Sequence, residues 1–327
     1  MRAPLLEAKG LVQQYGTARG LFGQGASVVR AVDGIDLQVR KGEILGIVGE
    51  SGSGKSTLGR MLLGLERPHE GSVLWQGQPL PEPRTAEWRR LRAQMQLIFQ
   101  DPLAALDRRM TIADQIGEPL AIHGLATSKQ ASARVAELMA RVGLRPDQAG
   151  RYPHELSGGQ RQRVVIARAL ASNPRFIVCD EPVSALDVSI QAQVVNLLRD
   201  LQEQSDLTMV FISHDLKVVR NICDRVAVMY LGRIVEEGPS DEIFADPRHP
   251  YTQALVSSIP KASSGLSGRQ ILQGEPPNPA ARPPGCAFHP RCRFADRACS
   301  GEVPVLENHN GRLAACLKLR ANGAEAA

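Results

Sequence analysis

The sequence predicts an α/β fold with a parallel sheet and helical crossovers, on three observations. The Gly-rich stretch Gly49–Thr57 (GESGSGKST) joins the short apolar run from Glu43 to Val48 to a helical run from Leu58 to Gly64. Strand and helix patterns then alternate from Arg175 to Leu231, the rhythm of strand–helix–strand crossovers. Within that stretch, the apolar residues Phe176 to Cys179 close on two acids, Asp180 and Glu181, as a buried strand does at the carboxyl edge of a parallel sheet.

Taken in order, Leu5 to Tyr15 reads as an edge strand, followed by a Gly-rich excursion over 16–26. Strand character resumes from Val28 to Asp36, and the polar turn Arg40-Lys41-Gly42 delivers the chain to the strand before the Gly-rich loop. Pro68 ends the first helix. Gly71 to Gly77 reads as a hairpin strand, Pro79 to Arg92 as a Pro- and Arg-rich patch, and Met95 to Gln100 as a strand ending on glutamine. From Thr111 to about Gly143 the pattern is helical, with Val135, Leu138, Met139 and Val142 on one face. A further helix, Arg161 to Ser172, is opened by Pro153–Gln160 and stopped by Asn173-Pro174. Then follow a strand (Arg175–Asp180), a helix (Val188–Gln204), a strand (Thr208–Ile212), a helix (Leu216–Cys223) and a strand (Arg225–Leu231). Past Pro247 the texture changes, and the Gly, Pro and Ser residues between Pro260 and Gly285 read as linker. No internal repeat or coiled coil is visible.

The 327 residues allow one or two domains with a large core. An aromatic content of 4% leaves few stacking platforms for single strands, and nothing marks a nucleic-acid partner. The net charge of +5 is spread along the chain and suits a nucleotide binder or an anionic membrane face. No apolar run reaches bilayer length, and residues 1–9 lack the apolar core of a secretory signal. A cytosolic, reducing compartment is therefore expected, where six cysteines are buried, free or metal-bound rather than paired.

Gly49–Thr57 matches G-x-x-x-x-G-K-[ST] in the required strand-to-helix context. Gly49, Gly52 and Gly54 let the backbone of Glu50, Ser51 and Ser53 curl into a nest of N–H groups aimed at phosphate oxygens. The helix dipole adds to that field. Lys55 reaches the β- and γ-phosphates and Ser56 ligates Mg²⁺, with Thr57 closing the motif. A nucleoside triphosphate is the expected ligand. Asp180 would hold Mg²⁺ directly or through water, and Glu181 would polarise an attacking water. Leu156-Ser157-Gly158-Gly159-Gln160 is a second anion site by the same physics, or simply a capped helix start.

Residues 156–170 (LSGGQRQRVVIARAL) resemble the signature of the ATP-binding cassette (ABC) ATPases. Other motifs follow in that family's order: Tyr15 as the N-terminal aromatic, Gln100 in Phe99-Gln100-Asp101-Pro102, Ser184-Ala-Leu-Asp187, and His214 in Ile212-Ser-His-Asp215. Tyr15 could stack on a base or pack at a strand end. The resemblance implies a P-loop NTPase cassette over 1–245, with a parallel-sheet core, an N-terminal antiparallel β subdomain and a helical signature subdomain at about 101–172. It implies that His214 senses the γ-phosphate, that Gln100 joins Ser56 and Asp180 around Mg²⁺, and that Asp187 and the Ser157 signature serve a nucleotide held between two cassettes. Gln100 and its Arg-rich surroundings would face a coupling helix of a transmembrane subunit.

The tail from His249-Pro-Tyr-Thr-Gln-Ala-Leu255 onward resembles the C-terminal extension of oligopeptide and dipeptide importer ATPases, giving a second region over 246–327. Cys286, Cys292, Cys299 and Cys316 lie there with gaps of five, six and sixteen residues, neither a zinc-ribbon nor a ferredoxin spacing. The resemblance implies one [4Fe–4S] cluster, with structural zinc as the alternative. Cys179 and Cys223 read as core residues. The implied whole is the ATP-hydrolysing subunit of an importer of dipeptides or oligopeptides. It would be peripheral on the cytoplasmic face of the inner membrane, and its partners would be a paralogous ATPase, two permeases and, indirectly, a periplasmic binding protein. Other cargo (nickel, glutathione, sugars) and a soluble, non-transport ABC protein are the alternatives.

Overall fold

The computed structural model describes residues 4–16, 28–259, 274–309 and 311–324. Along the chain run β1 (Pro4–Gly16), β2 (Val28–Arg40), β3 (Ile44–Val48), α1 (Lys55–Leu62), β4 (Glu70–Trp75), β5 (Gln78–Pro79), α2 (Ala86–Gln94) and β6 (Met95–Ile98). Next come α3 (Pro102–Ala105), α4 (Ile112–His123), α5 (Ser128–Arg141), α6 (Gly158–Leu170), β7 (Phe176–Asp180), α7 (Val188–Ser205), β8 (Thr208–Ser213) and α8 (Leu216–Ile222). The chain ends with β9 (Arg225–Tyr230), β10 (Arg233–Pro239), α9 (Ser240–Ala245), α10 (Pro250–Ser257), α11 (Arg297–Gly301), β11 (Glu307–His309), β12 (Arg312–Ala314) and α12 (Leu317–Ala324).

Two compact units interleave along the sequence. The first comprises Met1–Leu6, Val39–Ile44 and Leu74–Ser213; the second comprises Glu7–Gln38, Leu45–Val73 and His214–Ala327.

In the first unit β6, β7 and β8 pair in parallel, with Ile98 opposite Cys179 and Asp180 opposite Ile212. All six residues of β8 and the first four of β7 are buried, which explains their unbroken apolar runs. The helical stretch around 101–172 is several helices rather than one. Gly124, at φ +62, ends α4, and Thr127 and Gln130 form a capping box that starts α5. Val135, Leu138 and Met139 of α5 are buried as their spacing predicts. The Arg-rich patch contains a helix the sequence reading did not anticipate. In α2 only Leu91 is buried, so no apolar stripe announces it.

In the second unit β3 pairs in parallel with β9, and β10 returns antiparallel to β9. The tail adds β12 to β10 and β11 to β12, with Glu236 opposite Ala314 and Asn308 opposite Leu313. The tail thus supplies two strands of this sheet that the sequence does not announce; each has three residues, too few to show a period. The linker expected from Pro260 to Gly285 lies outside the described residues up to 273, as does most of the 16–26 excursion. A separate four-stranded sheet has the order β2-β1-β4-β5, so β1 is an inner strand and not the edge strand its position suggested. The pairing of β1 with β4 is tight at Gly71 (φ +85), where a Cβ would lie 2.4 Å from the carbonyl oxygens of Lys9 and Gly10.

Candidate functional site

In the second unit, β3 delivers the chain into the Gly-rich loop. Gly49 and Gly54 have φ of +154° and +101°, and a Cβ would lie 2.1 Å from Met229 O at the first and 1.9 Å from Ala31 O at the second. Only glycine fits either place. Gly54 is the N-cap residue of α1 and makes no side-chain hydrogen bond to the helix start. Lys55 is buried and donates from Nζ to Gly49 O and Glu50 O, both at 2.9 Å, curling its ammonium over the loop. Ser53 Oγ is buried with no protein partner, while Ser51 and Gly52 are exposed, and Gly52 has open space at its Cβ position. An orphaned buried hydroxyl in a Gly-rich loop that leads into a helix suits a phosphate oxygen. Ser56 is half-buried and Thr57 buried, one turn into the same helix.

The loop is braced by its own unit. Glu50 N–H donates to Tyr251 Oη at 2.8 Å, and the Glu50 carboxylate accepts from both terminal nitrogens of Arg291 at 2.7 and 3.0 Å. Neither brace was foreseen from sequence, because Arg291 lies 241 positions from Glu50 and no local pattern marks it. Tyr15 is 44% exposed and its hydroxyl donates to Glu66, so its ring is available while its polar end is held. Burial, then Glu66, raises its pKa. His214 is exposed just ahead of α8, whose start is capped by Asp215 Oδ1 accepting from Lys217 N–H at 2.8 Å.

In the first unit, β7 ends at Asp180, which is half-buried. Glu181 then turns into the left-handed region at φ +47, a strained conformation for a non-glycine residue. Its N–H donates to Ile212 O, and its Oε2 accepts from Gln100 Nε2 at 3.0 Å. Two of the expected site residues, Gln100 and Glu181, therefore meet although 81 positions separate them. Gln100 lies just beyond the end of β6, exposed.

Ser157 caps α6 with a full capping box: its hydroxyl accepts from Gln160 N–H at 3.3 Å and its own N–H donates to Gln160 Oε1 at 2.9 Å. Ser157 and Gly158 are exposed. Gly159 serves packing rather than exposure of backbone, because a Cβ there would lie 2.5 Å from Ile190 of α7. Asp187, exposed, is the N-cap residue of that helix, with no side-chain cap bond, and beside it Val188 is 82% exposed. Arg168 fastens α6 to its neighbours through Ala105 O (2.7 Å) and Glu118 Oε2 (2.5 Å).

Comparisons with known proteins add a family to this geometry. The family model described as "ABC transporter" covers residues 32–184, and "Oligopeptide/dipeptide transporter, C-terminal region" covers 235–299. The oligopeptide transport ATP-binding protein AppF of Bacillus subtilis is 50% identical over 92% of this chain and 92% of its own length. A Brucella ovis protein, named a candidate peptide import ATP-binding protein, is 49% identical over 96% of this chain and 98% of its own. The chain belongs to the ABC transporter ATP-binding family, with the oligopeptide/dipeptide-type C-terminal region. Among solved structures, cbiO1 from Clostridium perfringens, part of the cbiONQ complex, superposes with a TM-score of 0.64 at 28% identity, over 74% of this chain and 91% of its own. The cassette MJ0796, solved as a dimer in a post-hydrolysis state with ADP and Pi, gives 0.64 at 29% identity, over 72% and 98%.

As an ABC ATPase the chain hydrolyses ATP and uses Mg²⁺. Among the described residues no helix is long and apolar enough to cross a membrane. Nor do they contain a group of three or more His, Cys, Asp or Glu side chains disposed to hold a metal ion. That suits Mg²⁺, which takes one or two protein ligands and completes its shell with phosphates and water. It does not support the iron–sulfur or zinc expectation for Cys286, Cys292, Cys299 and Cys316. These are free thiols. Burial pushes Cys286 up to about 11, with the thiols of Cys299, Cys316 and Cys292 adding to the shift, and burial also raises Cys292 and Cys316. Among the described residues they present no ligating set. Cys179 and Cys223 are buried in the core as expected.

Proposed function

We propose that this ABC ATPase powers import of dipeptides or oligopeptides, through a cycle in which MgATP is held between two cassettes. The observation that carries the reading is the Ser157–Gln160 helix end, exposed and already capped by its own side chains, which needs nothing from its own chain and is open to a partner's nucleotide. Lys55 and the loop N–H groups bind the β- and γ-phosphates, and the open face of Tyr15 stacks on the base. Ser56, Gln100 and Asp180 would hold Mg²⁺, whose charge would serve to neutralise the transferred phosphoryl group. Glu181, with Gln100 bonded to its carboxylate, takes the proton of the attacking water. His214 contacts the γ-phosphate, and Asp187 lies at the cassette–cassette seam beside exposed Val188. Closure would depend on the γ-phosphate, and hydrolysis releases it.

The second cassette is a paralogue, two permeases receive the movement through the Gln100 region, and a periplasmic binding protein supplies the peptide. The protein would lie on the cytoplasmic face of the inner membrane, its cassette over 1–245 and its tail extension over 246–327. The peptide cargo is supported by the relatives, named for peptide transport, and by the tail family; nickel, glutathione or sugars are the competing cargoes. The test is uptake of a labelled dipeptide by cells carrying Lys55→Ala, together with the membrane association of the chain after deletion of the permease genes. Uptake at the wild-type rate, or membrane association indifferent to the permeases, overturns the reading. For the four tail thiols a [4Fe–4S] cluster, with structural zinc as the alternative, is a subsidiary proposal that rests on the tail family alone and not on a ligating arrangement. A colourless protein without iron or sulfide after anaerobic purification removes it.

A further inference from the structure

The tail of this chain is fastened to the phosphate loop by a contact that the hydrolytic scheme does not use. Arg291 sits between Cys286 and Cys292, and its side chain is 5% exposed. It forms a two-pronged pair with Glu50, the second residue of the Gly49–Thr57 motif, at 2.7 and 3.0 Å. Bidentate guanidinium–carboxylate pairs are directional as well as strong, so this one fixes the orientation of the Glu50 side chain and not merely its charge. The same residue is fixed on its backbone side by Tyr251, whose ring is fully buried and whose hydroxyl accepts the Glu50 N–H. Tyr251 is held in turn by Tyr230 and Phe288, with ring centroids at 4.6 and 5.4 Å. Phe288 comes from the same tail loop as Arg291.

Glu50 therefore has its backbone N–H and both carboxylate oxygens held by residues 201 and 241 positions away. Its carbonyl, meanwhile, accepts from Lys55 Nζ. One of the two residues that accept from the phosphate-binding lysine is thus itself oriented by the tail. We infer that Arg291 is a positioning residue of the ATP site, which holds the Gly49–Thr57 loop in its phosphate-binding shape through Glu50. The tail is then part of the nucleotide site and not an appendage. This rests on the ATP-site reading given above.

The experiment measures binding of the fluorescent nucleotide mant-ATP with Mg²⁺ to the full-length protein. Arg291→Met and Glu50→Gln should each weaken binding by about tenfold, the scale of one charge-assisted bond. The double variant should be no weaker than the worse single variant, because both remove the same contact. Arg291→Lys keeps the charge without the two-pronged geometry and should fall between wild type and Arg291→Met, an order that a purely structural role would not produce. If Arg291→Met fails to fold, Arg291→Lys carries the test: wild-type affinity overturns the inference and weakened affinity supports it. Additive losses in the double variant, or wild-type affinity in all three, also overturn it. Lys55→Ala is the control. If Lys55→Ala binds mant-ATP like wild type, the ATP-site reading itself has failed; if it loses binding while the Arg291 variants do not, only the positioning role has failed.

Discussion

At the start of α1 no side chain caps the helix, and at the start of α6 two side chains do. The first end is shaped by glycines in left-handed conformations and by distant braces, Tyr251 and Arg291 on Glu50 and Gly232 N–H on Ser53 O. The second is shaped by four consecutive residues, Ser157 to Gln160, whose capping box is complete without any ligand. Both are helix N-termini that favour anions. The difference teaches how each could be used. An uncapped end with an orphaned Ser53 hydroxyl is a cradle waiting for phosphate, held in shape at some cost by the rest of its unit. A self-capped, exposed end is stable alone and can meet a ligand that another molecule brings.

The largest effect that would break this comparison lies in turnover. Glu181→Gln should lower ATP hydrolysis by about 10²–10⁴-fold while MgATP is still retained, measured as phosphate release against bound nucleotide. Hydrolysis at the wild-type rate would remove Glu181 as the base. Next come the glycines. At Gly54 an alanine Cβ would meet the Ala31 carbonyl oxygen at 1.9 Å in a left-handed backbone, so Gly54→Ala should cost about 3 kcal/mol or more in urea unfolding. At Gly159 the obstacle is only the Cγ2 of Ile190, which can rotate, and Gly159→Ala should cost about 1–2 kcal/mol. Equal losses at the two positions would erase the contrast between a backbone-locked cradle and a packed helix start.

The bracing side also has a pH signature. His249 is buried, accepts the Tyr251 N–H on Nδ1, and has its pKa pushed down to about 3 by desolvation. The unfolded chain takes up this proton below about pH 6.5 and the folded chain does not until about 3. The contribution is therefore complete above pH 6.5 and is lost as pH falls toward 3, by at most about 1.4 kcal/mol per pH unit. His249→Asn, which can still cap α10, should show a shallower loss of urea stability between pH 6.5 and 5. Identical slopes would mean that His249 is not held neutral. The smallest effect belongs to the self-capped end, where Ser157→Ala should cost about 1 kcal/mol, seen as a modest shift in the urea midpoint.

What neighbouring residues encode is legible without the fold. Gly49–Thr57, the apolar strands β3, β7, β8 and β9, and the Ser157–Gln160 cap are contiguous patterns, and each folds as read. The helix α2 was not legible, because a helix that buries only Leu91 leaves no stripe in a run of arginines. The strands β11 and β12 were not legible either, since three residues carry no period. The folded chain alone brings a strand to each side of β1 and Gln100 to Glu181. It alone decided that Glu50 answers to Tyr251 and Arg291. Such pairings depend on how a sheet is ordered and where a tail returns, and loop closure over 81 to 241 positions leaves no mark on the residues in between.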